Sequence, residues 1–347
     1  MRKMISTTFT LAAALGLVAQ VAGGPVELKP KFEPGQKVYI EIDEQVKQTV
    51  HAEMMGPNPV EMFSRSLYGF YQEPLAASDE GARLKLTVDR RLMQFTHPSL
   101  GDMAFDTDAG QTPSPDNSIS LIAAPFVGKA LTMTVKGNRV AKVEGFEALQ
   151  SAIDASAKGD MFYQNVRRSI DEKALSKDLV ESRLQIFPAR KVSVGDTWTN
   201  TFTSDDAFLG KTVSEYKCKL DKLEQHDGHP LAYISYEATT RIAPGSEAPA
   251  NPMGMTPTLK NMKTTGTVVF DVQRGLILST RNGTSGTIEM MPPAADGDAN
   301  ATPAISVDVK NDVTSRTLEP AQREAEKKKH AAAAATAPSA KPEPHGG

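Results

Sequence analysis

Two histidines, a serine–lysine pair, a lone cysteine and two acidic stretches are the residues whose types could do chemistry. His226 and His229 stand three apart in "HDGH". Imidazoles at that spacing can share a metal on a helix. Here they straddle Asp227-Gly228, a turn dipeptide, and no further Cys or His lies nearby in sequence to complete a tetrahedral set. Ser214 and Lys217 match the Ser-x-x-Lys string, in which a helix brings the lysine to the serine. The flanks "KTVSEYKCKLDKL" read instead as a strand, where i and i+3 point to opposite faces. Cys218 lacks convincing His and Asn partners and reads as a half-buried strand residue. Asp296–Asn300 ("DGDAN") imitates the opening of a calcium loop, but Ala301 replaces the required Gly and Val307 stands where the bidentate Glu belongs. Phe105–Gly110 ("FDTDAG") fails similarly. No Gly-x-Ser-x-Gly elbow and no dinucleotide or phosphate loop occurs. These patterns predict a non-enzymatic protein with no catalytic residue, no metal and no cofactor.

Ligand capture is the remaining chemistry. Trp198, the only tryptophan, sits in "KVSVGDTWTN" (Lys191–Asn200) and shares a strand face with Phe202. Together with Val38 and Ile40 and the helix-stripe residues Phe162 and Val166, it is a candidate to line an apolar interior. The competing reading makes the indole a core anchor. Methionine recurs beside Pro and Gly in "HAEMMGPNPVEMF" (His51–Phe63) and "PANPMGMTP" (Pro249–Pro257). Its flexible thioether suits an adaptable lid over a greasy groove, or ordinary loop packing. The ligand expected is a lipid or another apolar or amphiphilic molecule; the rival reading is a structural or interaction module of the cell envelope with a packed core, and an exported hydrolase comes third.

These residues must be positioned by strands. "KVYIEIDEQV" puts Val38, Ile40 and Ile42 on one face; "RLKLTV" offers Leu84, Leu86 and Val88; "AISVDVKNDV" offers Ile305, Val307 and Val309. Hairpins are expected about Gly137-Asn138 and near Arg274-Gly275. Such period-two runs separated by Gly, Pro and Asp read as antiparallel strands. The period changes in the middle: Phe146, Leu149 and Ile153, then Phe162, Val166 and Ile170, then Leu179, Val180, Leu184 and Phe187 follow helical spacing. Ser176 is a plausible N-cap for the last of these helices, and Pro188 ends it.

The ends have distinct compositions. Arg2 and Lys3 precede an apolar run, Thr8 to Val21, and Val21 and Gly23 suit a signal peptidase, with Ala22 the rival cleavage point. This is the pattern of a secretory signal peptide. Its removal leaves 37 basic against 42 acidic residues, a net of −5. That balance offers no basic patch for nucleic acid. One Cys forbids an intrachain disulfide. No later stretch is long and apolar enough to span a bilayer as a helix. The charged, then Ala-rich, then Pro-rich C-terminus reads as disordered, with a transient helix near Gln322–Ala335, and residues 290–304 read as a loop.

The predicted organisation is a signal peptide over 1–23, a first β region over 24–144, a helical insert over 145–187, a second β region over 188–319 and a disordered tail over 320–347. The two β regions also align: Gly35 with Gly195, Val38 with Trp198, an acidic-Gly turn before a strand in each, and the Gly137 hairpin with the Gly275 hairpin. That order suggests an internal duplication.

Four elements carry a family resemblance: Phe32, Pro34, Gly35 and Tyr39; Gly137, Val140, Val143 and Gly145; Pro188 to Trp198, containing Val-Gly-Asp-Thr-Trp; and Phe270 to Ser279. In these the chain resembles an uncharacterised secreted family best represented in planctomycete-type bacteria, a domain of unknown function. The resemblance covers most of residues 30–318. It implies export to the periplasm or exterior and a mainly β fold, and supplies no site residue. At the level of layout the chain is also similar to periplasmic lipoprotein carriers, in which a curved antiparallel sheet wraps apolar ligand against helices. The fold class expected is therefore α+β, mainly β: antiparallel meanders forming a curved sheet or half-barrel with a helical insert.

Overall fold

A computed structural model describes residues 24–52, 56–78, 80–99, 101–167, 170–206, 208–246, 255–292 and 303–336. The signal-like residues 1–23, Met54, Met55, Met253 and Asp296–Asn300 lie outside the described residues. Twelve strands form one open antiparallel sheet: β1 (Val38–Ala52), β2 (Val60–Ser78), β3 (Gly81–His97), β4 (Gly101–Asp106), β5 (Ala130–Lys136), β6 (Arg139–Glu144), β7 (Thr197–Asp206), β8 (Gly210–His226), β9 (His229–Ile242), β10 (Thr256–Asp271), β11 (Leu276–Met291) and β12 (Ile305–Leu318). Across the sheet the order is β6-β5-β3-β2-β1-β12-β11-β10-β9-β8-β7, with β4 pairing β3 off this path. The predicted α+β, mainly β class holds.

Two meanders, β1–β6 and β7–β12, run in the same sense and join where β1 pairs β12. Each is launched by the same turn. Gln36 N donates to Glu33 O at 3.0 Å around Gly35 (φ 87), and Asp196 N donates to Ser193 O at 3.0 Å around Gly195 (φ 92). A positive φ at the third turn residue is what calls for Gly there. The features aligned in the sequence thus begin β1 and β7, begin β3 and β9, and close the β5–β6 and β10–β11 hairpins.

The helical insert holds α2 (Phe146–Ser156), α3 (Met161–Val166), α4 (Glu172–Ser176) and α5 (Ser182–Leu184), with a π-helical turn, Lys177–Glu181, between the last two. Asp171, not Ser176, caps α4: its carboxylate accepts from Ala174 N, while Ser176 lies inside the helix and donates to Glu172 O. Asp is as good a cap as Ser, and it stands one turn earlier. A six-residue helix, α1 (Ser118–Ala123), lies within the first β region; it is too short to show a period.

The insert bridges the two unpaired edges of the sheet. Val140 N on β6 donates to Glu181, and Arg139 reaches across to Thr203 O on β7 at 2.6 Å. Asn200 on β7 donates to the carbonyls of Gln185 and Phe187. This curls the sheet around the helices. Val38, Ile40, Phe70, Leu84, Leu86, Leu131 and Met133 pack on Leu149, Ile153, Leu179 and Leu184. A second cluster joins Trp198, Leu220, Ile234 and Phe270 to Leu28, Ile186 and Phe187.

The C-terminus departs from expectation. The helix expected near Gln322–Ala335 is present as α6 (Pro320–Thr336), docked rather than transient; 337–347 lie outside the described residues. β11 also extends to Met291, into the stretch expected to be loop. The α6 segment lacks core-forming apolar residues, which is why its composition reads as disorder. It docks by charge. Arg323 is fully buried, donates to Asp89 at 2.8 Å and to both oxygens of Asp108 at 2.7 and 2.8 Å, and lies over the Tyr39 ring. Arg316 pairs with Glu41 and Glu326. Tyr39 and Glu41 alternate with Val38 and Ile40, so α6 covers the outer face.

Arg323→Met should release α6 and cost about 3–5 kcal/mol, because two carboxylates lose their buried partner. Urea unfolding and protease cleavage within 320–336 check this. Burial alone would raise the Asp108 carboxyl, but Arg323 and His330 bonded to it hold it below the ordinary range. The stability it contributes is complete above the ordinary carboxylate pKa and is lost only as pH falls through the lower folded value. The clasp should therefore survive mild acid.

Candidate functional site

The long strands outrun the helices. On β1, Val46 and Val50 continue the inner face set by Val38, Ile40 and Ile42. Register then carries that face across the sheet: Val60, Val50, Val307, Ile288 and Leu259 are direct partners in one ladder row over β2, β1, β12, β11 and β10. Met62 and Val309 flank the row through Gln48. All seven apolar side chains are half-buried, and none belongs to the hydrophobic clusters beneath the helices. At the rim, Ala52 and Met290 are buried. Five strands at a spacing of about 4.8 Å make the row roughly 19 Å long. The residues that alternate with it, such as Thr49, Glu61, Thr287 and Asp308, put a polar surface on the other side. An antiparallel sheet ordinarily packs its apolar face on a second layer. Among the described residues that layer covers one end only.

A polar belt separates the covered and bare ends. Asn311 donates to Glu44 at 2.7 Å. Arg91, almost fully buried, lies 3.6 Å from the Tyr68 ring centroid and donates to Leu67 O. Asp178, aimed by the π turn, keeps solvent contact, yet the protein around it, and next Glu44, push its carboxyl up to about 6. Both facts fit a carboxyl facing a wet recess. A π turn re-aims the side chains of a helix in this way.

The six sequence-predicted ligand residues divide. Trp198 donates from Nε1 to Ile186 O at 2.8 Å and is buried among the apolar neighbours Leu220 and Ile234, so its ring seats a strand. Phe202 is buried under the Arg139 guanidinium, 4.1 Å from its ring centroid. Phe162 packs on Phe95, ring centroids 5.5 Å apart. Val166 ends α3; its side chain lies outside the described residues. Val38 and Ile40 belong to the covered core and also border a small recess near the chain's entry to β1. The bare row carries none of the six. Its signal was visible as the alternation Ile305, Val307, Val309; whether anything covers such a strand is not written in its period.

Catalytic pairings do not assemble. Ser214 pairs Phe202 on the inner face, whereas Lys217 pairs Thr199 on the outer one. Burial pushes the Cys218 thiol up to about 12, the opposite of an activated nucleophile. His226 and His229 pair across the β8–β9 turn, and among the described residues no group of three or more His, Cys, Asp or Glu could hold a metal. Asp106 and Asp108 are committed to Arg90 and Arg323. A trough of about 990 Å³ crosses the second meander. Its walls are the rows through Thr199, Lys217, Glu237 and Thr265 and through Thr197, Lys219, Ser235 and Thr267, which lie on the outer face. Trp198, Cys218 and Tyr236 border it with backbone, their side chains being turned inward. Its charges are mixed and solvated, so the apolar row is the stronger candidate.

Fold and site define a class: an open antiparallel sheet, curled around a helical insert, with its apolar concave face half covered. The chain belongs to a family of unknown function (DUF6263), which matches residues 79–277, more than half of its length. No curated protein matches it in sequence. Among solved structures it shares 10% identity with lipovitellin, a structure described as showing lipid–protein interactions, at a TM-score of 0.37 over 83% of this chain and 25% of that one. The chain thus spans a quarter of the lipovitellin chain. DynF from the dynemicin pathway of Micromonospora chersina gives 8% identity and a TM-score of 0.21 over 91% and 95% of the two chains. The COG4313 outer membrane channel from Pseudomonas putida F1 gives 8% and 0.21 over 83% and 100%. None of these scores supports a shared function. Among the described residues no helix is long and apolar enough to cross a membrane.

Trp198→Phe should leave the Ile186 carbonyl buried and unbonded, costing about 1–3 kcal/mol in urea unfolding, without weakening any apolar ligand. Asp178 titrates near 6 in the fold against an ordinary 3.8. Between those values the unfolded chain gives up its proton first, so stability should fall as pH rises through that window. Asp178→Asn should flatten this slope in denaturation measured from pH 4 to 7.

Proposed function

We propose that the protein is an exported, non-enzymatic binder of a lipid or other apolar or amphiphilic molecule, acting in the periplasm or outside the cell after cleavage near Gly23. The half-buried row Val60–Val50–Val307–Ile288–Leu259, which no described second layer covers, carries this reading. A contiguous apolar surface left outside the core marks an interaction site. Its length of roughly 19 Å matches an acyl chain, which fills about 15 Å of a single leaflet. The polar belt of Glu44, Arg91 and Asp178 runs along one side of that surface, between it and the helix-covered core, and offers polar partners to the head of an amphiphile. The secretory pattern at residues 1–23 and the single Cys suit an exported protein stabilised by its core. The separated Ser214 and Lys217 and the inert Cys218 support a role without catalysis.

Protein purified from its own host should carry lipid, read by native mass spectrometry and solvent extraction. Val307→Asp puts a charge at the middle of the row and should lower bound lipid by about tenfold or more. Thr49→Lys, on the polar side of the same sheet, should leave it unchanged. A wild-type protein of clean apo mass that also fails to take up a fluorescent fatty acid would sink the proposal.

A further inference from the structure

A second feature of the inner face lies at its covered end and does not depend on the ligand reading above. A recess of about 30 Å³ is bounded by Val38 and Ile40 of β1, Gln72 of β2, Thr317 of β12 and Arg183 of α5. Arg183 lines it, and among the described residues no acid meets the guanidinium. Its Nε is buried without a hydrogen-bond partner, and among the described residues the side chain makes no ion pair. Burial alone, with no compensating charge, drags its pKa down to about 10. Gln72 is 7% exposed, and its amide likewise finds no partner among the described residues. The nearby Lys31 turns its ammonium away to Gln273 O, and Thr317 spends its hydroxyl on Ile277 O.

A half-buried guanidinium with no acid beside it among the described residues and a carboxamide without a partner therefore border one small recess. Arg183 is half-buried, with its Nε shut off from solvent, and natural folds leave few such buried polar atoms unsatisfied. The missing complement is an anion. The recess has room for one or two water-sized groups, enough for a carboxylate and too little for the four oxygens of sulfate or phosphate. We propose that this recess is an anion site in which the Arg183 guanidinium and the Gln72 amide together bind a carboxylate. Charge-assisted bonds to a planar carboxylate are the interaction a guanidinium makes best. The carboxylate belongs either to a small free acid or to the head of a longer acyl chain.

Thermal unfolding of the full chain at constant ionic strength tests this, with sulfate as the background salt. Formate should raise Tm saturably, by about 2–4 °C at high occupancy, whereas added sulfate should not. Octanoate acting at far lower concentration than formate identifies an acyl head; equal potency identifies a free acid. Arg183→Met should abolish the response and, in sulfate alone, unfold no earlier than the wild type, since an uncompensated buried charge has been removed. Should that variant not fold, Gln72→Leu keeps the cation and should still weaken the formate response. Formate responses that are equal in the wild type and the variants, or absent from the wild type, overturn the proposal whether or not the protein carries lipid on its bare row.

Discussion

The free edges of the sheet are the constraint on which the rest depends. The main path of the sheet ends in β6 and β7, each with a row of unpaired backbone groups, and an exposed edge invites other chains to pair with it. This protein answers by bringing the edges to one helical segment. Glu181 accepts from Val140 N on one edge, Arg139 donates to Thr203 O on the other, and Asn200 secures the carbonyls of Gln185 and Phe187. The two strands never pair. The helices lie between them, so the sheet curls without closing. That curl gives it an inside, and the position of the insert decides how much of the inside is filled.

The two faces are held by different physics. Inside, ordinary apolar packing joins the insert to the ends of the strands that flank the seam. Outside, the C-terminal helix is clamped by Arg323, Arg316 and their carboxylates, with little apolar surface involved. Among the described residues neither layer reaches the far ends of β1, β2, β10, β11 and β12. Their alternation nonetheless persists, apolar inside and polar outside. A strand that stays amphipathic beyond its second layer keeps a surface available for something else.

Much of the fold was legible because it rests on local rules. Period-two runs, Gly turns with positive φ and the change to helical spacing after Gly145 each report a short-range steric or burial requirement. The candidate site was less legible. Trp198 and Phe202 were sensible choices, since large aromatics on an inner face do line cavities. The structure spends them on the seam instead, one bonded to Ile186 O and the other capped by Arg139. The bare row consists of unremarkable Val, Ile and Leu residues, identical in local pattern to the core. Gln72, Asp178 and Arg183 gave no signal at all, because what distinguishes them is the absence of a partner in space.

The sequence by itself determined the class: strand alternation, two like meanders, a helical insert between them and the secretory pattern at the front. Each is fixed within a few residues, by dihedral preferences and by which side of a strand or helix is apolar. Tertiary structure alone decided three things. It closed the seam, turned the polar tail into a docked helix by matching Arg323 to Asp89 and Asp108 more than 200 positions away, and left part of the inner face uncovered by any described layer. Charge pairing and coverage are relations between distant segments, and no local pattern encodes them.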